Sequence, residues 1–246
     1  MSGATPVGYY EWLNFNSPMT EATADGLVAE LALTEPSHIL DVGCGWAELL
    51  LRLLVACPNA TGYGIDNDDA LIERAKRNAA YRNLASRVTF SATLADAVTA
   101  DLVLSIGAEH VFGTLDQALI GLFKLVRPGG QMLLGTQFWE QAPAAGLVEA
   151  IGELPTLGDL IDTAIVVGLR PLGVKVASLE DWDHFEFRFM ADWERFIMSS
   201  TMHGEADEAR RASDLHRAAY LQRRGILEFV FLALGRPVEP DVASQN

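Results

Sequence analysis

Short apolar runs alternate along the chain with longer segments in which apolar residues recur every three or four positions. The short runs are typical of buried strands, and the longer segments are typical of helices that bury one face. The predicted strands are His38–Val42, Thr61–Asp66, Val88–Ala92, Asp101–Ile106, Gln131–Thr136, Gly173–Ser178 and Ile226–Leu234. The predicted helices are Thr20–Leu33, Ala47–Val55, Asp69–Tyr81, Leu115–Leu125, Ala145–Ile151, Leu157–Val167, Asp192–Ser200 and Glu205–Arg224. This alternation favours a parallel sheet that is covered on both faces.

The pattern predicts one α/β domain with a doubly wound, mostly parallel sheet of seven strands. The chain has 246 residues, of which 50% are hydrophobic, and this is enough for one large core. The segment from Leu179 to Arg224 is too long for a simple crossover, so we predict a helical insertion before the last strand. The predicted single domain, residues 1–246, then has four parts. They are an N-terminal lid and helix (1–36), a cofactor-binding core (37–178), the helical insertion near the acceptor site (179–225), and a last strand with a tail (226–246).

Capping and turn residues support these boundaries. Asp68 or Asp69 can cap the helix after the second strand. Gly225 can end the last long helix. The segment Pro128-Gly129-Gly130 is predicted to be a turn that leads into the fifth strand.

The charge balance of the chain argues against a nucleic-acid partner. The formal net charge is −15, whereas a nucleic-acid-binding surface needs clustered positive charge to neutralise phosphates. No apolar run is long enough to cross a bilayer, and the N-terminus lacks the pattern of a secretory signal. The two cysteines, Cys44 and Cys57, have no spacing typical of a metal site. We therefore expect a cytoplasmic protein with no membrane partner and no bound metal.

Two acidic residues and two glycines carry the strongest chemical signal. In the segment from His38 to Ala47 an apolar strand ends in Asp41 and turns through Gly43 and Gly45 into a helix. Glycines let the backbone approach a ligand closely, and the start of a helix presents unpaired N–H groups. Asp66 ends the next strand, where a carboxylate can accept hydrogen bonds from both hydroxyls of a ribose. Together these features predict a cofactor that contains a nucleoside.

A dinucleotide such as NAD is the rival cofactor. Its fingerprint GxGxxG requires a third glycine, and that position is Glu48 in this chain. A carboxylate there would face a pyrophosphate, whereas it would not disturb a ligand without phosphate. The sequence therefore favours a nucleoside cofactor over NAD.

With these motifs and the Pro128-Gly129-Gly130 turn, nearly the whole chain resembles the class I S-adenosylmethionine-dependent methyltransferases. Residues 105–113 and 180–186 are similar to a bacterial branch that acts on small molecules. The resemblance implies a Rossmann-like methyltransferase fold, S-adenosylmethionine as cofactor and S-adenosylhomocysteine as product. It implies that Ile39 to Ala47 receives the methionine portion and that Asp66 binds the ribose. The predicted cofactor-binding residues are Asp41, Gly43, Cys44, Gly45, Asp66, Asn67, Leu94, Ala95, Asp96 and Gly107.

The adenine contact departs from the family pattern. Family members usually carry an acid shortly after the third strand, and Leu94 occupies that position here. Asp96 lies two positions later and can substitute for it. The alternative is that backbone groups of Leu94 and Ala95 hold the edge of the adenine.

The acceptor is expected at the same edge of the sheet, because ligands in such folds lie outside the carboxyl ends of the strands. The predicted acceptor-binding residues are Tyr10, Glu109, Trp139 and Trp182, with Tyr10 on the N-terminal lid. Acidic residues around this mouth favour a small acceptor that is neutral or cationic. The sequence does not fix the attacked atom, which can be oxygen, nitrogen, sulfur or carbon, nor the oligomeric state.

Two histidines are candidates for a catalytic base, which is needed only if the acceptor must lose a proton. His110 follows the fourth predicted strand directly and is the first candidate. A hydrogen bond that organises the loop is the alternative role for this residue. His184 lies beside Asp183 and Glu186 and is the second candidate, with a structural role as its alternative.

Other functions remain as alternatives to methyl transfer. An enzyme of the same fold can bind S-adenosylmethionine and catalyse a different reaction, such as cyclisation or elimination of the cofactor. A partner subunit that binds the cofactor without turnover is disfavoured, because Asp41, Gly43, Gly45 and Asp66 are all present. An NAD-dependent reductase is disfavoured because of Glu48.

Overall fold

The elements of the fold alternate as the sequence pattern predicts. The computed structural model describes residues 10–32, 37–94, 98–201 and 203–238. The strands are β1 (His38–Val42), β2 (Thr61–Ile65), β3 (Val88–Ser91), β4 (Ala100–Ile106), β5 (Val126–Trp139), β6 (Arg170–Val176) and β7 (Leu227–Gly235). The helices are α1 (Glu21–Leu31), α2 (Glu48–Ala56), α3 (Asp69–Tyr81), α4 (Leu115–Leu125), α5 (Ala145–Ile151), α6 (Leu157–Val167), α7 (Leu179–Ser199) and α8 (His203–Arg223).

The seven strands form one sheet in the order β3-β2-β1-β4-β5-β7-β6. Strands β1 to β5 are parallel, and β7 is antiparallel to both β5 and β6. The chain proceeds outward from β1 to β3 and then returns to β4 on the other side of β1. The carboxyl ends of β1 and β4 therefore flank a topological switch point, where ligands bind in doubly wound folds. This topology confirms the predicted fold class.

Both faces of the sheet are buried, because successive side chains of a strand point to opposite faces. On β4, Leu102 and Leu104 join the core on the face covered by α1 and α2, whereas Val103 joins the core beneath α4 and α6. On β5, Leu133 and Leu134 divide in the same way. The central strands are thus held rigidly from both sides.

Helix α7 begins at Leu179, thirteen residues before the predicted start at Asp192. Its first turn carries a capping box, in which the Ser178 hydroxyl accepts from Asp181 N and the Asp181 carboxylate accepts from Ser178 N. The prediction was wrong because the aromatic-rich segment after Ser178 resembled the loop that follows a strand. Helices α7 and α8 have 21 residues each, yet none of the helices in the described ranges could cross a membrane.

The predicted turn at Pro128-Gly129-Gly130 lies inside a longer strand. Strand β5 runs continuously from Val126 to Trp139. Gly129 N donates to Arg236 O at 2.8 Å, and Arg236 N donates to Gly130 O at 2.9 Å. These two backbone hydrogen bonds pair the segment with the chain after β7. Against β4 the register shifts between Val126 and Gln131, and Gly129 has a φ of +81°, so the predicted turn is a bulge within the strand.

Asp181 connects the starts of two helices that are distant in sequence. Its buried carboxylate accepts hydrogen bonds from Thr20 N at 3.1 Å and from Thr23 Oγ1 at 2.9 Å, in addition to those from Ser178. Burial opposes ionisation of this carboxyl, but the hydrogen bonds from Ser178, Thr20 and Thr23 outweigh it and lower its pKa. The start of α1 is thereby fixed to the start of α7.

Candidate active site

A cavity of about 380 Å³ opens at the carboxyl ends of β1, β2 and β4. The predicted cofactor residues that line it are Asp41, Gly43, Cys44, Gly45, Asp66, Asn67, Leu94 and Gly107. His110 lines it as well. The structure therefore brings together most of the residues that the sequence analysis assigned to cofactor binding, at the switch point of the sheet.

The loop between β1 and α2 turns sharply because three of its residues have left-handed backbone conformations. The φ angles are +74° at Gly43, +52° at Gly45 and +60° at Ala47. The N–H groups of Gly43 and Cys44 both donate to Ile65 O, at 2.8 and 2.9 Å. The turn is thus tied to the end of β2, and the chain enters α2 directly after it.

The glycines of the cavity have two different roles. A Cβ atom added to Gly43 would lie 2.3 Å from the Cβ of Ala108, so this glycine is needed for close packing against the segment after β4. A Cβ atom added to Gly45 or Gly107 would meet nothing within 4 Å. These two positions leave open space along the cavity wall, as a ligand that contacts the backbone requires.

Asp66 is fixed by backbone groups on both of its oxygens. Oδ2 accepts from Gly45 N at 2.8 Å, and Oδ1 accepts from Asp68 N at 3.0 Å. A carboxylate has about four acceptor sites, so two remain for other donors. Asp68 in turn caps α3 by accepting from the N–H groups of Ala70 and Leu71, as one of the two predicted caps. The Asp66 carboxylate is therefore oriented in advance and can hold two ribose hydroxyls.

Asp41 is a buried acid in the wall of the cavity. Burial raises the pKa of its carboxyl to about 7, and the nearby charge of Asp66 adds to this effect. A cation placed beside these two carboxyls would be stabilised by both and would favour the ionised form of Asp41. The site thus has the electrostatics to receive a positively charged ligand.

Cys44 contributes a neutral thiol to the same wall. Burial raises the pKa of this thiol, and the charges of Asp41 and Asp66 raise it further. The thiol therefore remains protonated and is a poor nucleophile. Its Sγ lies 3.6 Å from Gly45 O, to which it can donate a weak hydrogen bond.

Glu48 does not present an isolated negative charge to the cavity. Its carboxylate accepts from Arg52 Nε at 2.8 Å and from Arg82 Nη2 at 2.8 Å on each oxygen. The expected repulsion of a pyrophosphate by this carboxylate is correspondingly reduced. The preference for a nucleoside cofactor without phosphate depends instead on Asp41 and Asp66, which line the cavity without a guanidinium partner among the described residues.

The adenine end of the site is only partly described. Leu94 and Ala92 line the cavity beyond β3, and the Leu94 side chain is exposed. Ala95 and Asp96 lie outside the described residues. The choice between the Asp96 side chain and backbone groups near Leu94 therefore stays a prediction.

His110 is the only one of the two candidate bases that lines the cavity. It lies on a short 3-10 helix, Glu109–Val111, directly after β4, and its side chain is exposed. His184 lies on an exposed part of α7 and does not line the cavity. The geometry supports a role in chemistry for His110 and gives none to His184.

Four predicted acceptor residues do not line the cavity: Tyr10, Glu109, Trp139 and Trp182. Trp182 is buried and packs its ring edge-on against Phe185 and Phe229, with centroids 6.3 and 6.5 Å apart. Trp139 is also buried, and its backbone N–H donates to Pro155 O at 2.9 Å. Both tryptophans are therefore buried away from the cavity lining, and Trp182 packs against Phe229 of β7.

Sequence analysis predicted an N-terminal lid within residues 1–36 but did not single out the residues before α1 that line the cavity. Phe15, Asn16, Ser17 and Met19 all line it. The segment carries no motif, and only its position before the first helix of the fold could have indicated this role. Tyr10 was the residue of this lid predicted to contact the ligand, but Phe15, Asn16, Ser17 and Met19 line the cavity instead.

Trp46 and Arg74 hold this N-terminal segment on the glycine loop. Trp46 Nε1 donates to Asn14 O at 2.7 Å. The Arg74 guanidinium lies over the Trp46 ring, 4.1 Å from its centroid, and donates to Tyr10 O at 3.1 Å and Leu13 O at 3.0 Å. The aromatic residue next to Gly45 therefore anchors the segment that closes one side of the cavity.

Comparison with known proteins identifies the family. A profile of the methyltransferase domain family matches residues 33–156, about half of the chain. The Escherichia coli protein YjhP is 27% identical over 216 residues, which cover 84% of this chain and 87% of that protein. The X-ray structure of YjhP superposes with a TM-score of 0.82 at 25% identity, covering 94% of this chain and 98% of that one.

Two further proteins are similar over large parts of the chain. Trans-aconitate 2-methyltransferase of Paracidovorax citrulli is 24% identical over 151 residues, covering 61% of this chain and 58% of that protein. The crystal structure of an S-adenosylmethionine-dependent methyltransferase from Geobacter sulfurreducens, in complex with S-adenosylhomocysteine, has a TM-score of 0.80 at 23% identity and covers 89% and 92% of the two chains. The chain therefore belongs to the methyltransferase domain family and is an S-adenosylmethionine-dependent methyltransferase.

Proposed function

We propose that this enzyme transfers the methyl group of S-adenosylmethionine to a small-molecule acceptor that binds beside His110. The observation that carries the proposal is that one cavity combines the oriented carboxylate of Asp66, the open backbone at Gly45 and Gly107, and an exposed histidine. A cofactor with a ribose and a positively charged methionine portion fits each of these features. The cofactor supplies a methyl group that is already activated by its sulfonium centre.

The residues of the cavity bind and orient the cofactor. Asp66 holds the two ribose hydroxyls, while Gly45 and Gly107 allow the ligand to lie against the backbone. Asp41 offers a carboxyl to the cationic methionine end, which favours its ionised form. Positioning of this kind can lower a barrier by several kcal/mol, because the reacting groups no longer have to find each other in solution.

His110 takes a proton from the acceptor when the acceptor is a hydroxyl or a protonated amine. Its side chain is exposed at the cavity and follows β4, next to β1 across the switch point. A neutral histidine can accept a proton from such an acceptor, and a base of this kind contributes typically a hundredfold or more to the rate. Where the acceptor needs no deprotonation, His110 contacts it without taking a proton.

The acceptor is a small molecule, neutral or cationic. The cavity of about 380 Å³ has the size of a small-molecule site. Among the relatives, trans-aconitate 2-methyltransferase bears the name of a small organic acceptor, which supports the size of the acceptor and not its charge, because aconitate is a polycarboxylate. Asp41 and Asp66 in the wall disfavour an anion at this point of the site.

We also infer a cytoplasmic location, supported by Cys44 and Cys57, which form no disulfide.

Calorimetry and mass spectrometry test this proposal together. S-adenosylhomocysteine should bind in the low micromolar range or tighter and raise the melting temperature, whereas NAD should do neither. Reactions of S-adenosylmethionine with a library of small acceptors should then yield a product heavier by one methylene, together with S-adenosylhomocysteine. Release of methylthioadenosine would indicate cofactor elimination or cyclisation instead, and NAD binding without adenosylhomocysteine binding would refute the proposal.

A further inference from the structure

The N-terminal lid, which we define as residues 10–19, has no helix or strand, so its backbone carbonyls depend on other groups for hydrogen bonds. Four of these carbonyls accept from side chains elsewhere in the fold, namely those of Tyr10, Trp12, Leu13 and Asn14. Arg74 of α3 provides two of the bonds, Trp46 provides one, and Arg188 of α7 provides one at 3.4 Å. Side chains therefore fix the path of the lid.

Tyr10, the first residue of the lid, has a left-handed backbone with a φ of +64°. This conformation is unfavourable for a residue with a Cβ atom and persists only where several contacts impose it. Arg74 binds the carbonyl of Tyr10, while the Tyr10 ring lies 5.9 Å from the Trp46 ring and 5.8 Å from the Phe189 ring, centroid to centroid. The lid is thus held in a conformation that its own residues do not favour.

Arg74 uses its positive charge on the lid. Its guanidinium forms no ion pair with a carboxylate in the described parts of the chain. It is partly buried between the Trp46 ring and the carbonyls of Tyr10 and Leu13. Burial lowers the pKa of this guanidinium, yet an arginine keeps its charge in proteins. Because a buried cation needs compensation, the two carbonyls of the lid are its main partners.

Helix α3 also holds the residue that connects the lid to the cofactor cavity. Asn78, one turn after Arg74, donates through Nδ2 to Trp46 O at 3.2 Å. Trp46 directly follows Gly45, whose N–H donates to the carboxylate of Asp66. The lid, α3 and the glycine loop are therefore joined by direct contacts next to the two cofactor motifs.

The part of the lid that lines the cavity, within residues 15–19, lies between two anchor points. The hydrogen bonds from Arg74 and Trp46 hold the chain before it, and Asp181 holds Thr20 N after it. Two apolar side chains of this part are buried in the core. Loss of the first anchor should therefore loosen the cavity wall without unfolding the protein.

We infer that Arg74 is a positioning residue that holds the lid closed over the bound cofactor and so slows cofactor release. It acts through Trp46 and the lid backbone, and it does not itself line the cavity. The inference deepens the proposed function, on which it rests. It assigns to lid opening the step in which S-adenosylhomocysteine leaves and S-adenosylmethionine enters. Because such coupling is reciprocal, a bound ligand should also keep the lid closed.

Three variants test this inference. Arg74→Gln removes the fork that binds two carbonyls, and we expect it to fold because the core contacts of α3 come from other residues. Arg74→Lys keeps the charge but not the planar fork, so its effect should be intermediate. Arg77→Gln is the matched control, because Arg77 is exposed on the same helix and forms no ion pair with the described residues.

Charge alone predicts the opposite effect on cofactor binding. Arg74→Gln and Arg77→Gln each remove one positive charge from α3 and leave the site more negative. The attraction of cationic S-adenosylmethionine should then increase slightly in both variants. Weaker binding in Arg74→Gln alone therefore indicates that the lid has lost its position.

Hydrogen exchange measured by mass spectrometry follows the lid directly. The Leu13 amide is a suitable reporter, because it donates to Tyr10 O at 3.1 Å within the lid. In ligand-free protein, exchange of residues 10–19 should be about tenfold faster in Arg74→Gln and unchanged in Arg77→Gln, while β4 and α4 exchange as in the parent. S-adenosylhomocysteine should slow exchange of the lid in the parent.

Surface plasmon resonance on the immobilised protein measures how fast S-adenosylhomocysteine binds and leaves. Its dissociation rate should rise about tenfold or more in Arg74→Gln, less in Arg74→Lys, and not at all in Arg77→Gln. The melting temperature of each variant shows whether the whole fold is affected.

Three results would overturn the inference. They are unchanged lid exchange in Arg74→Gln, faster lid exchange with an unchanged dissociation rate, and equal effects in Arg77→Gln. Faster exchange throughout the protein, with a lower melting temperature, would also overturn it, since Arg74 would then only stabilise the fold. Failure of the parent to bind S-adenosylhomocysteine contradicts the proposed function instead, and exchange of the ligand-free variants still decides whether Arg74 holds the lid.

Discussion

The carboxylate of Asp66 accepts a hydrogen bond of 2.8 Å from the backbone N–H of Gly45. This bond joins the acid at the end of β2 to the glycine loop after β1, so the two motifs of the sequence form one structural unit. The bond also uses only one of the acceptor sites on Oδ2. The acid therefore both shapes the loop and remains able to bind a ribose.

Asp66→Ala should weaken the binding of S-adenosylhomocysteine about tenfold to a hundredfold. The reason is that the loss of charged hydrogen bonds costs about 1.5–3 kcal/mol. Calorimetry on the purified variant measures the dissociation constant. Asp69→Ala, which removes an exposed charge three residues away, should bind normally. An unchanged affinity in Asp66→Ala would assign the ribose to other residues.

Substitutions of Gly43 and Gly107 should distinguish a glycine that is needed for packing from a glycine that contacts the ligand. Gly43→Ala forces a methyl group against Ala108 and should lower the free energy of unfolding by a few kcal/mol. Gly107→Val places its side chain in open space at the cavity wall and should block the cofactor, at a smaller cost from its φ of +67°.

Chemical denaturation and calorimetry on both variants check this pair of predictions. A Gly107→Val protein that binds S-adenosylhomocysteine normally would show that the ligand does not approach this glycine. A Gly43→Ala protein as stable as the parent would show that the Ala108 segment can move away.

The binding of S-adenosylhomocysteine should strengthen as pH rises from 6 to 8. The pKa of Asp41 is raised to about 7, so over this range its carboxyl becomes ionised and can pair with the ammonium of the ligand. Calorimetry at several pH values measures the effect, and adenosine, which has no ammonium, is the control ligand. Asp41→Asn should remove the pH dependence. The same dependence in Asp41→Asn would assign it to another group.

Asp41 should also make the ligand-free protein less stable as pH rises from about 4 to 7. Its pKa is higher in the folded than in the unfolded chain, so the folded state retains the proton more strongly. The contribution of Asp41 to stability is thus full below pH 4 and is lost as the pH rises through about 7. Denaturation of the parent and Asp41→Asn proteins should show a steeper decline for the parent.

His110→Ala should lower turnover about a hundredfold while leaving the affinity for S-adenosylhomocysteine nearly unchanged. The histidine lines the cavity as a base and makes no contact that the fold needs among the described hydrogen bonds. Turnover of the acceptor found by mass spectrometry is measured on the parent and on His110→Ala. His184→Ala is the matched control and should keep full activity. Joint loss of stability and cofactor affinity in His110→Ala would indicate a structural role.

The local signals of the chain were sufficient for most of the fold. Apolar runs bounded by caps predicted β1 to β4 to within one residue at each end, because buried parallel strands must be apolar along their length. The exposed, antiparallel β6 begins three residues before its predicted start. Helix α3 was predicted with its observed ends, since Asp68 satisfies its first N–H groups from the neighbouring position in the chain. The cofactor motifs at Asp41 and Asp66 could likewise be predicted, because they lie at the ends of two strands that are adjacent in the sheet.

The errors came from interactions between distant segments. The start of α7 was missed although Ser178 and Asp181 form a local capping box, whereas the contacts of Asp181 with Thr20 and Thr23, about 160 residues earlier in the chain, could not be predicted. The Pro128-Gly129-Gly130 segment was predicted to be a turn, but its pairing with Arg236 keeps it in the sheet. Neither contact produces a periodic pattern in the sequence.

The sequence by itself determined the α/β architecture and the two cofactor motifs, because period, capping and glycine placement act within a few residues. Only the tertiary structure decided which side chains meet. It brought His110 and not His184 to the cavity and added Phe15 and Met19 to its wall. These outcomes depend on how the helical insertion and the N-terminal segment pack over the sheet. That packing is decided by the summed burial of many distant side chains, which no single segment of the sequence encodes.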